Sequence, residues 1–239
     1  MRRSNPHKAP VQQPAALATL QAEITACRRC PRLVAHREAV ARAKRRAFCD
    51  WEYWGRPLTG YGDPAARLLV IGLAPAAHGG NRTGRIFTGD RSGDWLYATL
   101  HRFGFANQPI STHREDGLRL TDAWVTAAAR CAPPDNKPTA EEFATCRPFL
   151  VRELQLLRRV QAVVALGRVA FDAFWAARQV LGHPQPRSRP QFAHAKTFPL
   201  GDVTLISSYH PSQRNTQTGM LTQAMFDRVF ASARELLQP

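Results

Sequence analysis

Four cysteines are spaced so that together they could hold an iron–sulfur cluster or a zinc ion. Cys27 and Cys30 form a Cys-x2-Cys motif, and Cys131 and Cys146 form a wider second pair. A [4Fe–4S] cluster takes four cysteine thiolates, whereas zinc sites usually combine closely spaced ligand pairs. The wide second pair therefore favours a cluster over zinc, with buried free thiols as a third interpretation. Cys49 stands alone and is interpreted as a structural or spare thiol.

The longest run of turn and polar residues, GLAPAAHGGNRTGRIFTGDRSG (72–93), directly follows the apolar run LLVI. Its Gly79-x4-Gly84 spacing is that of a nucleotide-binding P-loop, which continues with Lys and then Ser or Thr. Arg85 and Ile86 stand there instead, and no Gly-x-Gly-x-x-Gly fingerprint is present, so nucleotide hydrolysis is disfavoured. The segment is interpreted as a base-sized pocket, a cradle for a nucleic-acid backbone or an unusually long surface turn.

The elements that must position these residues alternate between strand and helix. Four segments are apolar on both faces, as strands of a covered parallel sheet should be: 66–72, 123–131, 160–167 and 203–209. Helices are predicted for 36–46, after Ser92, from the capping box at Thr139, over 168–180 and over 221–237. This order predicts a doubly wound α/β fold.

Ligands of such sheets bind outside the carboxyl ends of the strands. The segments at those ends are GLAPAAHGG, CAPPDNKP, GRVA and HPSQRN, and three of them mix turn residues with hydrogen-bond donors and acceptors. Each segment alone could simply end a strand. Three at one edge predict a binding site there.

The formal net charge of +15 indicates a polyanionic partner, with nucleic acid favoured over a membrane and a basic solubility surface as the alternative. The N-terminal residues lack the continuous apolar core of a signal peptide, and no 18-residue apolar run occurs. The sequence therefore predicts a soluble, cytoplasmic monomer. Residues 1–20 are predicted to be a flexible extension, and 21–239 a single domain.

The cysteines and the strand-end loops together resemble the iron–sulfur branch of the uracil-DNA glycosylase superfamily. The 72–93 loop is similar to the first motif of the family 5 enzymes, and Tyr209-His-Pro-Ser-Gln-Arg-Asn215 to the second. The resemblance spans about residues 27–215. It implies a three-layer α/β/α sandwich with a central four-stranded, mostly parallel sheet. It also implies a [4Fe–4S] cluster with a structural role, held by Cys27, Cys30, Cys131 and Cys146.

The resemblance assigns roles to residues around one pocket. Gly72, Ala74 and Phe87 would bind the substrate, with Phe87 stacking on a flipped pyrimidine. His210 would donate to a pyrimidine carbonyl, and Asn136 would orient the attacking water. Asp90 would stabilise the cationic sugar or accept a proton, although capping the following helix is its alternative role. Four residues would contact the DNA: Pro211, Ser212, Arg214 and Asn215.

The segment Gly72-Leu-Ala-Pro75 carries no polar side chain where other branches place a water-activating residue, which is the mark of family 5. Family 4 relatives carry an Asn that reads uracil where this chain has Ala127, so a looser pocket is expected. We therefore predict a monofunctional glycosylase that excises uracil, and other deaminated bases such as hypoxanthine, from double-stranded DNA. The alternatives are an iron–sulfur nucleic-acid-binding module without glycosylase activity and, less favoured, a nucleotide hydrolase.

Overall fold

A computed structural model describes residues 15–184, 186 and 188–238, and its centre is a six-stranded sheet in the order β1-β3-β2-β4-β6-β5. The four inner strands are mutually parallel, and each edge strand is antiparallel to its neighbour. The strands are β1 Tyr61–Gly62, β2 Leu68–Gly72, β3 Ala123–Ala127, β4 Ala162–Leu166, β5 Lys196–Pro199 and β6 Thr204–Ser208.

All four predicted strands are present and parallel, but the prediction of a four-stranded sheet was wrong in number. The missed strands are the two edges, β1 and β5. β1 has two residues, and in β5 only Phe198 is buried. Neither edge has the continuous apolar run that two covered faces require. A strand of two residues such as β1 is too short to show an alternation of apolar and polar residues. The two added edge strands do not change the predicted α/β class.

Helices cover both faces of the sheet, so the predicted three layers are confirmed. The helices of more than ten residues are α1 Ala15–Ala26, α2 Pro31–Ala43, α4 Arg91–Arg102, α5 Ala140–Leu156, α6 Arg168–Val180 and α8 Gln223–Leu236, and the shorter ones are α3 Gly80–Thr83 and α7 Gln213–Gln217. One apolar cluster joins α1, α5 and α6 to one face of the sheet, and another joins α4 and α8 to the opposite face. The predicted capping box forms at the start of α5.

Residues 15–20, which fall within the predicted flexible extension over 1–20, form part of a packed helix. Helix α1 begins at Ala15, and its Leu17 and Leu20 side chains are 1% and 0% exposed against the sheet layer. Residues 15–20 therefore belong to the packed domain. Residues 1–14 lie outside the described part of the chain, so for them the extension stays a prediction. Within the described residues, no helix has the length and apolar character needed to cross a membrane.

The carboxyl ends of the four inner strands meet at one edge of the sheet. Gly72 of β2 is in register with Ala127 of β3, and Leu166 of β4 with Ser208 of β6. Beyond these strand ends, the chain enters the loops that carry the predicted site residues. This register brings residues far apart in the chain to the rim of one cleft.

Candidate active site at the carboxyl edge of the sheet

A cleft of about 770 Å³ opens at this edge, and most of the predicted pocket residues line it. Those that do are Ala74, Phe87, Asp90, Asn136, His210 and Ser212. They come from the loops after β2, β3 and β6, as the predicted position at the strand ends requires. The structure therefore brings the three predicted catalytic side chains into a single concave site.

Phe87 forms an apolar wall of the cleft and is held in an unusual backbone conformation. Its φ is +52°, a left-handed value that is uncommon for a non-glycine residue. Two glycines permit this position: a Cβ on Gly72 would lie 2.5 Å from the Phe87 ring, and one on Gly93 would lie 1.8 Å from its carbonyl oxygen. Tyr97 Oη also donates to the carbonyl of Ile86 at 2.8 Å. A strained residue fixed by its neighbours is typical of functional sites.

His210 follows β6 and faces Phe87 across the cleft, with ring centroids 6.0 Å apart and planes 26° from parallel. Burial lowers the pKa of His210 to about 4, so its imidazole is neutral at pH 7. The Asn215 side chain donates to the His210 carbonyl at 2.9 Å and fixes the backbone of this loop. A neutral, fixed imidazole can donate a hydrogen bond without bringing a positive charge into the pocket.

Asp90 lines the cleft and is also the N-cap of α4. Its Oδ1 accepts from the backbone N–H of Gly93 at 3.0 Å, so the helix-cap role that was its alternative is confirmed. Burial raises the pKa of Asp90. A Cβ on Gly79 would lie 2.3 Å from Asp90 Oδ2, which places this second oxygen against the loop after β2. One carboxylate oxygen of Asp90 is thus held by the helix cap while the residue borders the cleft. Its burial disfavours the ionised form of the carboxyl group.

Asn136 stands at the rim of the cleft, in a turn spanning Pro134–Asn136. Asp135 and Asn136 have φ values of +53° and +56°, a conformation that Asn and Asp adopt more readily than other side-chain-bearing residues. The Asn136 side chain is exposed where it lines the cleft. An amide can orient a water molecule but cannot act as a base.

The residues predicted to contact DNA take different positions around the loop after β6. Pro211 is buried, and Ser212 caps α7 by accepting from the Asn215 N–H at 3.3 Å. Asn215 is turned inward to the His210 carbonyl. Arg214 is exposed, so among these four it presents the side chain most available to a partner.

A family model described as "Uracil DNA glycosylase superfamily" matches residues 59–234, most of the chain. The chain belongs to this superfamily. Curated relatives named "Type-5 uracil-DNA glycosylase" confirm the resemblance to family 5. The protein of Mycobacterium leprae is 52% identical over 91% of this chain and 94% of its own length, and that of Thermus thermophilus is 50% identical over 89% and 94%. A "Type-4 uracil-DNA glycosylase" of Thermotoga maritima is 30% identical over 65% of this chain.

Besides the cleft, this member of the glycosylase superfamily has a small cavity lined by its four spaced cysteines. Cys27, Cys30, Cys131 and Cys146 all border it, and all are free thiols. Burial is the main reason that the pKa of Cys131 rises to about 12. Within the described residues, no three His, Cys, Asp or Glu side chains are grouped closely enough to hold a single metal ion.

Arg37 of α2 connects the cysteine pairs. Its Nη1 lies 2.9 Å from Cys131 Sγ, and its Nη2 donates to the carbonyl of Cys27 at 3.2 Å. The Arg37 side chain is only 2% exposed, and its buried Nε has no hydrogen-bond partner. An unpaired guanidinium proton beside four thiols fits a cavity that is completed by an anionic group, because buried polar groups are normally satisfied.

Sequence reasoning missed several residues that shape the cleft. Arg45, Phe48 and His78 line it, and the Arg82 guanidinium lies over the rings of Phe48 and Trp51 at 3.9 and 4.1 Å. Arg82 donates to the carbonyls of His78 and Gly89 at 2.8 and 3.2 Å, and so ties together the two ends of the loop that carries Phe87. The place of His78 in the loop after β2 was the one signal that could have identified it.

Proposed function

We propose that the chain is a monofunctional DNA glycosylase that hydrolyses the N-glycosidic bond of uracil in double-stranded DNA and thereby initiates base excision repair. The names of its type-5 relatives support this proposal. The observation that carries it is the neutral His210 imidazole facing Phe87 across a cleft that also contains Asp90 and Asn136.

The chemistry of the bond explains why these side chains would be needed together. A base inside a duplex is inaccessible, so the nucleotide must turn out into a pocket, where Phe87 offers its ring for stacking. The departing base takes the bonding electron pair, and the N–H of His210 would stabilise the charge that develops on a base carbonyl. The sugar becomes electron-poor, and the Asp90 carboxylate would stabilise it. Water held by Asn136 adds to the sugar carbon, and its proton is released.

The proposal extends to other deaminated bases such as hypoxanthine. Ala127 is 1% exposed at the end of β3, in register with Gly72, so this strand end carries no polar side chain beside the loop after β2. A pocket without a polar reader at this position rejects other bases less strongly, since discrimination of 10⁴-fold or more depends on buried polar groups that would be left unpaired.

The four thiols would hold a [4Fe–4S] cluster as a structural group, through Cys27, Cys30, Cys131 and Cys146. Four free thiols on one cavity match the ligand set of such a cluster. When bound, the cluster would join the start of α2 to the loop that carries Asn136. The Arg37 guanidinium would then face the negatively charged thiolates.

Strand cleavage after alkali tests the glycosylase proposal. End-labelled duplexes carry a single G·U pair, with G·T and G·C duplexes as controls. Alkali-dependent cleavage at uracil, with no cleavage before alkali, is the expected result for a monofunctional enzyme. A hypoxanthine duplex tests the wider substrate range. A folded protein that binds these duplexes but leaves every strand intact would instead support the binding-module alternative.

We expect anaerobically purified protein to be brown and to contain iron and sulfide, and Cys131→Ser to lose both together with thermal stability. Cys49→Ser is the matched control, because Cys49 is exposed and does not border the cavity. It should keep the colour and the melting temperature. Iron analysis, visible absorbance and thermal unfolding measure the three properties. A colourless, fully stable and active Cys131→Ser protein would rule out a structural cluster.

A further inference from the structure

His78 lines the same cleft but has no role in the chemistry described above. Its imidazole is half-buried, and its Nδ1 lies 3.1 Å from the hydroxyl of Tyr53. The two rings meet edge to face, with centroids 6.0 Å apart. Tyr53 is 8% exposed, so it forms a fixed support behind the histidine.

The hydrogen bonds of Tyr53 determine which nitrogen of His78 carries the proton. The Tyr53 hydroxyl oxygen accepts from the backbone N–H of Arg45 at 3.3 Å. Its own proton has one acceptor among the described residues, His78 Nδ1. With Nδ1 accepting, a neutral imidazole carries its proton on Nε2. No described side chain or backbone group bonds to this Nε2, so its N–H is free to meet a ligand.

The surroundings of this donor favour an anionic acceptor. Burial is the main cause that lowers the pKa of His78, and the positive charges of Arg45 and Arg82 lower it further. Arg45 lines the cleft beside His78, and Arg91 is exposed at its rim. A neutral N–H donor beside guanidinium groups suits a phosphate oxygen, because the N–H can donate a hydrogen bond to it and the positive charges attract it.

We propose that Nε2–H of His78 donates to a phosphate oxygen of the DNA strand that carries the extruded nucleotide, with Tyr53 as the residue that positions it. This contact rests on the proposed function, because it assumes that DNA enters the cleft. Phosphate contacts fix the register of a protein on DNA. His78 would therefore hold the backbone while the base occupies the pocket that Phe87 and His210 line.

Binding of His78→Phe to two duplexes tests the proposal. One duplex carries 2′-fluoro-deoxyuridine, whose glycosidic bond resists hydrolysis, and the other carries a tetrahydrofuran abasic analogue that has the phosphates but no base. Loss of one hydrogen bond to a charged acceptor should weaken binding to both duplexes by roughly tenfold. A loss confined to the uracil analogue would make the base the acceptor and overturn the phosphate assignment.

Tyr53→Phe separates positioning from general structural damage. It keeps the ring but removes the hydroxyl, so Nδ1 of His78 loses its partner and binding should weaken by about threefold. The same change made in His78→Phe should have no further effect, because the ring it positions is already gone. Equal losses in both backgrounds would show that Tyr53 acts independently of His78.

The outcomes distinguish this inference from the proposed function. If the wild-type protein excises uracil and His78→Phe binds both duplexes as tightly as wild type, the phosphate contact is wrong and the glycosylase proposal stands. If the wild-type protein neither excises uracil nor prefers the modified duplexes over an undamaged one, the proposed function itself fails. Thermal unfolding of each variant, expected to match wild type within a few degrees, confirms that the proteins compared are folded.

Discussion

Replacing Glu153 by Gln is expected to lower the free energy of unfolding by about 3–5 kcal/mol, because it leaves the Arg130 guanidinium buried without a counter-charge. Arg130 Nη2 lies 2.5 Å from Glu153 Oε2, and the two side chains are 2% and 1% exposed. Thr126 Oγ1 donates to the same carboxylate at 2.8 Å. The pair joins α5 to the segment after β3, next to Cys131. Its loss should therefore loosen the loop that carries Asn136.

The matched control is Glu23→Gln, which breaks the Arg152–Glu23 pair. Those side chains are 41% and 45% exposed, so solvent screens the pair and the change should cost far less stability than Glu153→Gln. Urea titration monitored by circular dichroism measures both variants. A double replacement, Arg130→Met with Glu153→Leu, should recover most of the lost stability, because no buried charge remains unpaired. Equal midpoints for Glu153→Gln and Glu23→Gln would contradict the assignment of the cost to burial.

The inner sheet was predictable because each of its strands is buried on both faces. Leu68–Gly72 and Ala162–Leu166 are wholly buried, and such strands are written in the sequence as short apolar runs. The edge strand Lys196–Pro199 has a single buried residue, and its pairing with β6 depends on how the chain returns after α6. A local pattern carries no information about that return.

The predicted site residues came together for a related reason. In a parallel sheet the carboxyl ends of the strands share one edge, so Asp90, Asn136 and His210 could be grouped from their positions after strands. The contact between Tyr53 and His78 could not be foreseen. It depends on the path of the segment before β1 over the loop after β2, and a single Tyr or His has no sequence period. The close approach of Gly93 to the Phe87 carbonyl likewise appears only in three dimensions.

Asp90 shows why a structural and a functional interpretation need not exclude one another. Its carboxylate caps α4 through Gly93, yet it borders the cleft and its pKa is raised by burial. A cap alone would be served equally well by Asn, which is as favourable at this position and carries no charge. Retaining a partly buried charge at such a site costs stability, which points to a second role for the carboxylate in the cleft.

Asp90→Asn is therefore expected to reduce uracil excision by about 10²–10⁴-fold while leaving the protein as stable as wild type or more stable at pH 8. Because the folded-state pKa of Asp90 is raised, the wild-type protein loses stability relative to the variant as pH rises from the unfolded value through the folded one. Below the unfolded pKa both states are protonated, and the difference disappears. Each 1 kcal/mol should shift the melting temperature by about 2–4 °C.

Single-turnover excision and thermal unfolding across a pH series separate the two roles of Asp90. The wild-type rate should fall as pH drops through the raised pKa of Asp90, whereas the residual rate of Asp90→Asn should lack that step. Asp172→Asn is the control, because Asp172 is partly exposed on α6 in a pair with Arg189 and should change neither profile. If Asp90→Asn instead melts well below wild type at pH 8, the ionised carboxylate stabilises the start of α4 more than a neutral cap does, and the assignment of a raised pKa is wrong. The lost activity would then follow from a displaced α4 and not from a missing charge in the cleft.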